Sequence, residues 1–279
     1  MRDRENRNPA HRIKPHKKLA ILKLVGSYGQ LGEVELAHAV WPESVPAIAA
    51  KRAELSTVQL EAEGYLLRIK DASGSFSLIL CPRGEASLRL EGIECRHGVR
   101  FQLGGRQFDR RRMATQYLVH RQVQGRSAHH ESSLLIGKSR VRRSELTKRL
   151  GLAPDGLVLM PRSGHGPMRT YSMDWIRVVP TRIPTRELER VLSVASHLGS
   201  WVDAFQMVQL DRIILVVDME CDWIISALRQ YLSTHLRPDG TPLNIELTRW
   251  QIDTSLMSGG YQEIDAYCLL EGASNTKTR

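Results

Sequence analysis

Three carboxylates define the chemistry open to this chain. Asp155 sits in Ala153-Pro-Asp-Gly-Leu-Val-Leu159, where a loop feeds a predicted strand. Asp174 opens Asp174-Trp-Ile-Arg-Val-Val179, predicted as the opposite strand, and Glu131 lies in a predicted short helix over 129–136. Carboxylates converging on one sheet edge hold Mg²⁺ or Mn²⁺, and such an ion stabilises the charge of phosphodiester cleavage. The same residues also have a plainer reading. Pro-Asp-Gly is a common turn sequence, Asp174 at a strand start is a solvated residue, and Glu131 is an exposed helix residue. Both readings stand at the level of sequence.

Other signals point away from chemistry. His129 and His130 are neighbours, and adjacent positions on a helix face different directions, so the pair is not expected to share an ion. Tyr117 and Tyr171 lack the setting of an activated tyrosine nucleophile. Gly137-Lys138-Ser139 lacks the earlier glycine of a phosphate-cradling loop. Cys81, Cys95, Cys221 and Cys268 lie far apart with no C-x-x-C, which fits reduced thiols in a cytoplasmic protein rather than a zinc ribbon. No apolar run is long enough to span a bilayer.

The elements that must position these residues come in two groups separated by charge. The chain has 279 residues and a formal net charge of +10. Residues 1–23 carry +6, 24–95 carry −4, 96–149 carry +11 and 150–279 carry −3. Segregated cationic charge of this kind fits a phosphate backbone better than general solubility. Residues 1–16 read as a disordered basic tail, 93–126 as a basic connector, and 273–279 as a polar tail.

Residues 17–92 read as a winged helix-turn-helix. An apolar helix over Leu19–Tyr28 is followed by a short one over Glu33–Trp41. Ser44 is the expected cap of a third helix, with Pro46 in its first turn and Gly64 at its end. Tyr65–Lys70, a turn at 71–74, and Ser75–Leu80 form the strand pair of the wing. Leu80-Cys-Pro-Arg-Gly84 closes the unit and starts another helix. Such a module lays its third helix in the DNA major groove. Lys51 and Arg52 on that helix, and Arg68 and Lys70 on the wing, are the DNA contacts expected here. Arg110, Arg111 and Arg112 in the connector, with Arg140, Arg142 and Arg143 beyond it, are expected to clamp backbone; a solvated charged face is the alternative.

Residues 127–272 read as a mixed α/β domain: the 129–136 helix, a hairpin of 157–160 with 170–179, a helix over 185–198, a buried strand over 212–218, a helix over 222–235 and a strand over 243–250. The tryptophans 175, 201, 223 and 250 are expected in packing rather than base stacking.

The chain resembles the plasmid replication-relaxation family of mobile genetic elements, some of whose members act as relaxases. The resemblance rests on the winged helix, the element 80–88, the Pro154-Asp-Gly-Leu157 turn and the Trp175–Val179 strand, in that order. It implies a second domain similar to the PD-(D/E)XK nuclease fold, with a metal ligand from the Pro-Asp turn and further acids on the next strand. This chain departs from that pattern. Arg177 and Val179 stand where acids are expected, and Ile176 stands where a lysine would follow Asp174. A guanidinium in place of a carboxylate reverses the local charge that a metal needs.

The expectation is therefore an α+β, two-domain, sequence-directed binder of double-stranded DNA that works with replication or conjugation proteins and uses no cofactor. The alternatives are a Mg²⁺- or Mn²⁺-dependent nicking enzyme, with Asp155 as metal ligand, Glu131 and Asp174 assisting and Arg177 or Arg182 stabilising charge, and a transcription regulator whose second domain binds a partner or ligand. Winged-helix proteins are often homodimers on palindromes, though no heptad pattern marks an interface here.

Overall fold

The computed structural model describes residues 13–70, 76–95, 106–130, 141–162, 169–179, 185–218, 222–235, 243–251, 260–264 and 277–278. The fold is mixed α and β, in two units, 1–103 and 104–279. Among the described residues no helix is long and apolar enough to cross a membrane.

Unit 1 runs α1 (Pro15–Tyr28), β1 (Gln30–Gly32), α2 (Glu33–Val40), α3 (Pro46–Ala62), β2 (Leu66–Lys70), β3 (Phe76–Leu80) and α4 (Pro82–Leu90). Helix α1 buries Ile21, Leu22, Val25 and Tyr28, and α3 buries Ala49, Ala53, Thr57 and Leu60, each set at helical spacing. The small residues on α3 let α2 approach closely. The three strands pair antiparallel in the order β1-β3-β2. Strand β1 is too short to show a sequence period. Ser44 is not the cap of α3. Val45 holds that position without a side-chain bond, and the Ser44 hydroxyl instead accepts from Arg52 at 3.0 Å. Gly84, in the first turn of α4, is required by packing: a Cβ there would stand 2.5 Å from the Tyr65 carbonyl oxygen.

Unit 2 runs α5 (Arg106–Val123), β4 (Ser127–His130), α6 (Arg143–Leu150), β5 (Gly156–Pro161), β6 (Tyr171–Val179), α7 (Thr185–Ser193), a 3-10 turn (Val194–His197), β7 (Val208–Asp218), α8 (Asp222–Thr234), β8 (Ile245–Gln251), β9 (Gly260–Ile264) and β10 (Lys277–Thr278). The described strands form one sheet, β10-β9-β8-β7-β6-β5-β4. Strands β6, β7 and β8 are parallel and the remaining pairs antiparallel. One face carries Met173, Trp175, Val179, Ile213, Leu215, Ile245 and Leu247 into the main core with α6, α7 and α8. Trp175 is fully buried there, whereas Trp223 is partly exposed.

Two sequence expectations change here. His129 and His130 lie on a strand, not a helix, paired with Leu157 and Gly156 of β5. Pairing at the sheet margin outweighs the local helical pattern. The expected connector is also not a connector over its second half. Helix α5 belongs to unit 2 and packs on β4, β5 and β6, with every side chain from Ala114 to Val119 buried. Its arginines obscured this apolar stretch in the sequence.

Candidate nucleic-acid interface

In unit 1 the first turn of α1, the α2–α3 turn and the N-terminal half of α3 enclose a groove of about 540 Å³. Lys14, His16, Lys17, Trp41, Ser44 and Arg52 contribute to its walls. Lys17 Nζ donates to the Val40 carbonyl at 2.7 Å and lies 5.6 Å from the Trp41 ring centroid. Arg52 is braced by Ser44. Lys14, Lys17 and Arg52 thus line a concave surface, and Glu43 is the one acid among its described wall residues. Lys14, Lys17 and His16 were not among the expected contacts. Lys14 and His16 fall in the stretch read as a tail, whereas α1 already begins at Pro15 and carries His16 and Lys17 in its first turn.

The outer face of α3 continues this surface. Lys51 and Arg52 are exposed, with Ile48, Leu55 and Val58 beside them at 50, 41 and 44 % exposure. Lys51 pairs with Glu54 at 2.8 Å, an exposed contact of small worth. Lys70 is exposed at the end of β2. Arg68 is placed differently from its expected role. Its Nε donates to Glu33 at 2.8 Å, its guanidinium lies 3.8 Å from Glu61, and it stacks on Phe76 at 4.1 Å. Arg68 holds α2, α3 and the strand pair together and does not project as a wing contact.

In unit 2 the two candidate carboxylates among the described residues, Asp155 and Asp174, do not come together at one site. Glu131 lies outside the described residues, as does Arg140. Asp155 is bound by Arg110 through two parallel bonds, Nε to Oδ2 at 2.9 Å and Nη2 to Oδ1 at 2.6 Å. Arg177 Nη1 stands 3.5 Å from Oδ1 and also donates to the Ala153 carbonyl. Beyond the last ladder pair, Asp155 N donates to Ile176 O, and Asp155 Oδ2 accepts from Val178 N, each at 2.9 Å. Its side chain therefore extends the β5–β6 pairing where the main chain has turned away. Gly156 follows because α5 sits on this strand: a Cβ would meet Leu118 Cδ1 at 2.5 Å.

Asp174 is separate from Asp155. Val158 pairs with Asp174 and Gly156 with Ile176, so the two aspartates are roughly 10 Å apart along the strand. Asp174 is buried, not solvated, on the face covered by α5. Arg212 Nε is 3.7 Å from its Oδ1, too long for a hydrogen bond. Glu246, on β8, joins the same cluster: Arg212 Nη1 donates to it at 2.5 Å, Arg121 Nη2 lies 3.5 Å away, and the Thr248 hydroxyl donates at 3.2 Å. Arg121 Nε donates to the Tyr117 hydroxyl at 2.8 Å. Burial pushes the Asp174 carboxyl up to about 6; Arg212 opposes this and Glu246 reinforces it. Burial also pushes the Tyr117 hydroxyl up, and Arg121 opposes this. Glu246 was missed from sequence, although its alternation with Ile245 and Leu247 marks a second, polar face of β8.

These residues do not fit a divalent metal. Both oxygens of Asp155 are engaged by donors, two guanidiniums compensate its charge, and Asp174 points into a different cluster. Among the described residues no group of three metal-ligating side chains occurs. Arg111 and Arg112 are half-buried on α5 and each has an interaction partner. Arg143 in α6 is likewise engaged, while Arg142 is exposed just before that helix. Burial holds the His129 imidazole below its ordinary value.

Comparison with protein-family models, curated proteins and solved structures finds no match to this chain.

Proposed function

We propose that this chain is a sequence-directed, double-stranded DNA-binding protein of a mobile genetic element, acting in replication, transfer or transcriptional control without cleaving its target. The observation that carries this reading is the groove of unit 1 and the α3 face beside it. Lys14, Lys17 and Arg52 supply phosphate contacts at one side of an exposed helix. Lys51 can donate to a guanine edge, and Ile48, Leu55 and Val58 match thymine methyl groups. The helix order and three-stranded sheet support a winged-helix reading of the unit, with α3 in the major groove. Replication or conjugation proteins are the partners this occupancy would recruit, and a homodimer would suit a palindromic site.

Unit 2 supports the reading of a nuclease-like fold without its metal site, as expected of a divergent member of the plasmid replication-relaxation family. Pro154-Asp155 precedes β5 and the next strand carries Asp174, in the order the resemblance implies. Arg110 and Arg177 neutralise the first of these acids.

The test is a plasmid incubated with the full chain and Mg²⁺ or Mn²⁺, scored for mobility shift and nicking together. A shift without nicking is expected for wild type, and a weakened shift for Lys14→Ala with Arg52→Ala. Nicking that disappears in Asp155→Asn would overturn the non-cleaving reading and establish the metal-dependent enzyme.

A further inference from the structure

Residues 202–208, where the chain turns into β7, form a tight loop with Phe205 as its large exposed side chain. Asp203 is buried and spends both carboxylate oxygens on the main chain. Oδ2 accepts from Phe205 N at 3.3 Å, and Oδ1 accepts from Met207 N at 2.9 Å and Val208 N at 2.8 Å. Val202 N closes the loop on Val208 O at 2.9 Å. Gln206 has φ 53°, the one non-glycine residue with positive φ among the described residues. A side chain in that region is strained and persists only where its surroundings enforce it. At the tip stands Phe205, 83 % exposed. A rigid loop that holds an aromatic ring in water gains nothing for folding from that ring.

The segments to which this loop is tied carry exposed cations. Arg149, at the end of α6, donates to the Trp201 carbonyl at 3.1 Å, with Lys148 beside it in sequence and exposed. Tyr171 N donates to Met207 O at 2.7 Å, which ties the loop to the start of β6. Arg169 precedes that residue by two, and Arg162 N donates to Thr170 O across the same hairpin. Both arginines are exposed. The one acid of the loop, Asp203, is consumed by its own main chain.

We infer that Phe205 is a wedge that enters a base step of duplex DNA, with Lys148, Arg149, Arg162 and Arg169 on the flanking phosphates. The inference rests on the DNA-binding reading above and adds a second contact and a mechanical effect to it. A single ring projecting from a tight turn fits insertion and not the broad face of a stacking platform. Insertion unstacks the step and bends the duplex, which favours the easily deformed TA and CA/TG steps. The four cations repay the deformation by contacting phosphates brought close by the bend.

The experiment uses the full chain and duplexes of mixed sequence labelled at both ends, with a central TA or AA step. Energy transfer between the ends reads bending, and anisotropy reads affinity. Wild type is expected to shorten the end-to-end distance, more with TA than AA. Phe205→Ala is expected to abolish the bend and weaken binding roughly tenfold, and Phe205→Leu to keep part of both. Because the side chain is exposed, the fold is retained, and circular dichroism verifies this. Unchanged bend and affinity in Phe205→Ala, while Arg52→Ala weakens binding, overturns the wedge and leaves the DNA-binding reading intact. A wild-type dimer that Phe205→Ala dissociates, with bending unaltered, also overturns it and assigns the loop to a second copy. No binding of either duplex by wild type sinks both readings.

Discussion

Arg110 and Asp155 meet in a two-pronged contact at 2.9 and 2.6 Å, joining the first half of α5 to the mouth of the β5–β6 hairpin. A carboxylate that sequence places at a metal site thus acts as a strut between helix and sheet. Removing one partner leaves a partly buried charge to the other, which is the expensive way to break a pair. Arg110→Ala is expected to lower stability by about 2 kcal/mol, less than a fully buried pair because Arg177 and the Val178 N–H remain. Urea denaturation measures this. Millimolar Mg²⁺ should leave the wild-type midpoint unmoved; a rise with Mg²⁺ would mean that Asp155 binds the ion.

Arg68 and Arg52 should separate stability from binding. Arg68 is enclosed by Glu33, Glu61 and Phe76, whereas Arg52 is exposed at the groove. Arg68→Ala is expected to destabilise unit 1 by about 2 kcal/mol. Arg52→Ala should change stability by no more than about 0.5 kcal/mol and weaken DNA binding. Thermal unfolding and gel shift of both variants, run side by side, check the contrast. Equal loss of DNA affinity in a still-folded Arg68→Ala would return Arg68 to the interface.

The hairpins were legible in sequence because their period is two and their turns carry glycine or proline; β2, β3, β5 and β6 fall within a residue or two of expectation. Helices α7 and α8 and strand β7 also follow from apolar spacing, although β7 begins at Val208 rather than 212 and the end of the expected 185–198 helix is a 3-10 turn. Helix α5 was not legible as core. Arg110, Arg111 and Arg112 dominate its first half, and Arg110 is turned to internal use by Asp155, 45 residues away in sequence. The role of Asp155 was half legible. Pro-Asp-Gly signals a turn, but only the pairing shows its carboxylate replacing a main-chain acceptor for Val178. The Asp174–Arg212–Glu246 cluster joins β6, β7 and β8, and no local pattern reports contacts among three strands.

Asp174 sets a pH dependence. Its folded carboxyl titrates at about 6 against an ordinary value of 3.8. The folded state therefore binds more protons than the unfolded state between these values. The contribution favours folding below about 4 and is lost as pH rises through 6, a swing of about 3 kcal/mol. Urea midpoints across pH 4–7 should show this fall in wild type, and Asp174→Asn should flatten it. A wild-type minus variant difference that does not change with pH would refute the assignment.

Gly84 tests the packing of unit 1. A Cβ there meets a main-chain carbonyl at 2.5 Å and Leu80 Cδ1 at 2.7 Å, and the carbonyl cannot rotate away. Gly84→Ala is expected to cost about 2 kcal/mol through displacement of α4, despite the better helix propensity of alanine. A neutral or stabilising result by thermal unfolding would show that α4 shifts freely.

The most direct test of DNA binding is anisotropy of a labelled, randomised duplex pool titrated with the full chain at several NaCl concentrations. Neutralising about six phosphates predicts that log K falls against log salt with a slope of roughly −5. Lys14→Ala with Arg52→Ala should reduce that slope by about two. A flat salt dependence, or no binding at low salt, would contradict the account.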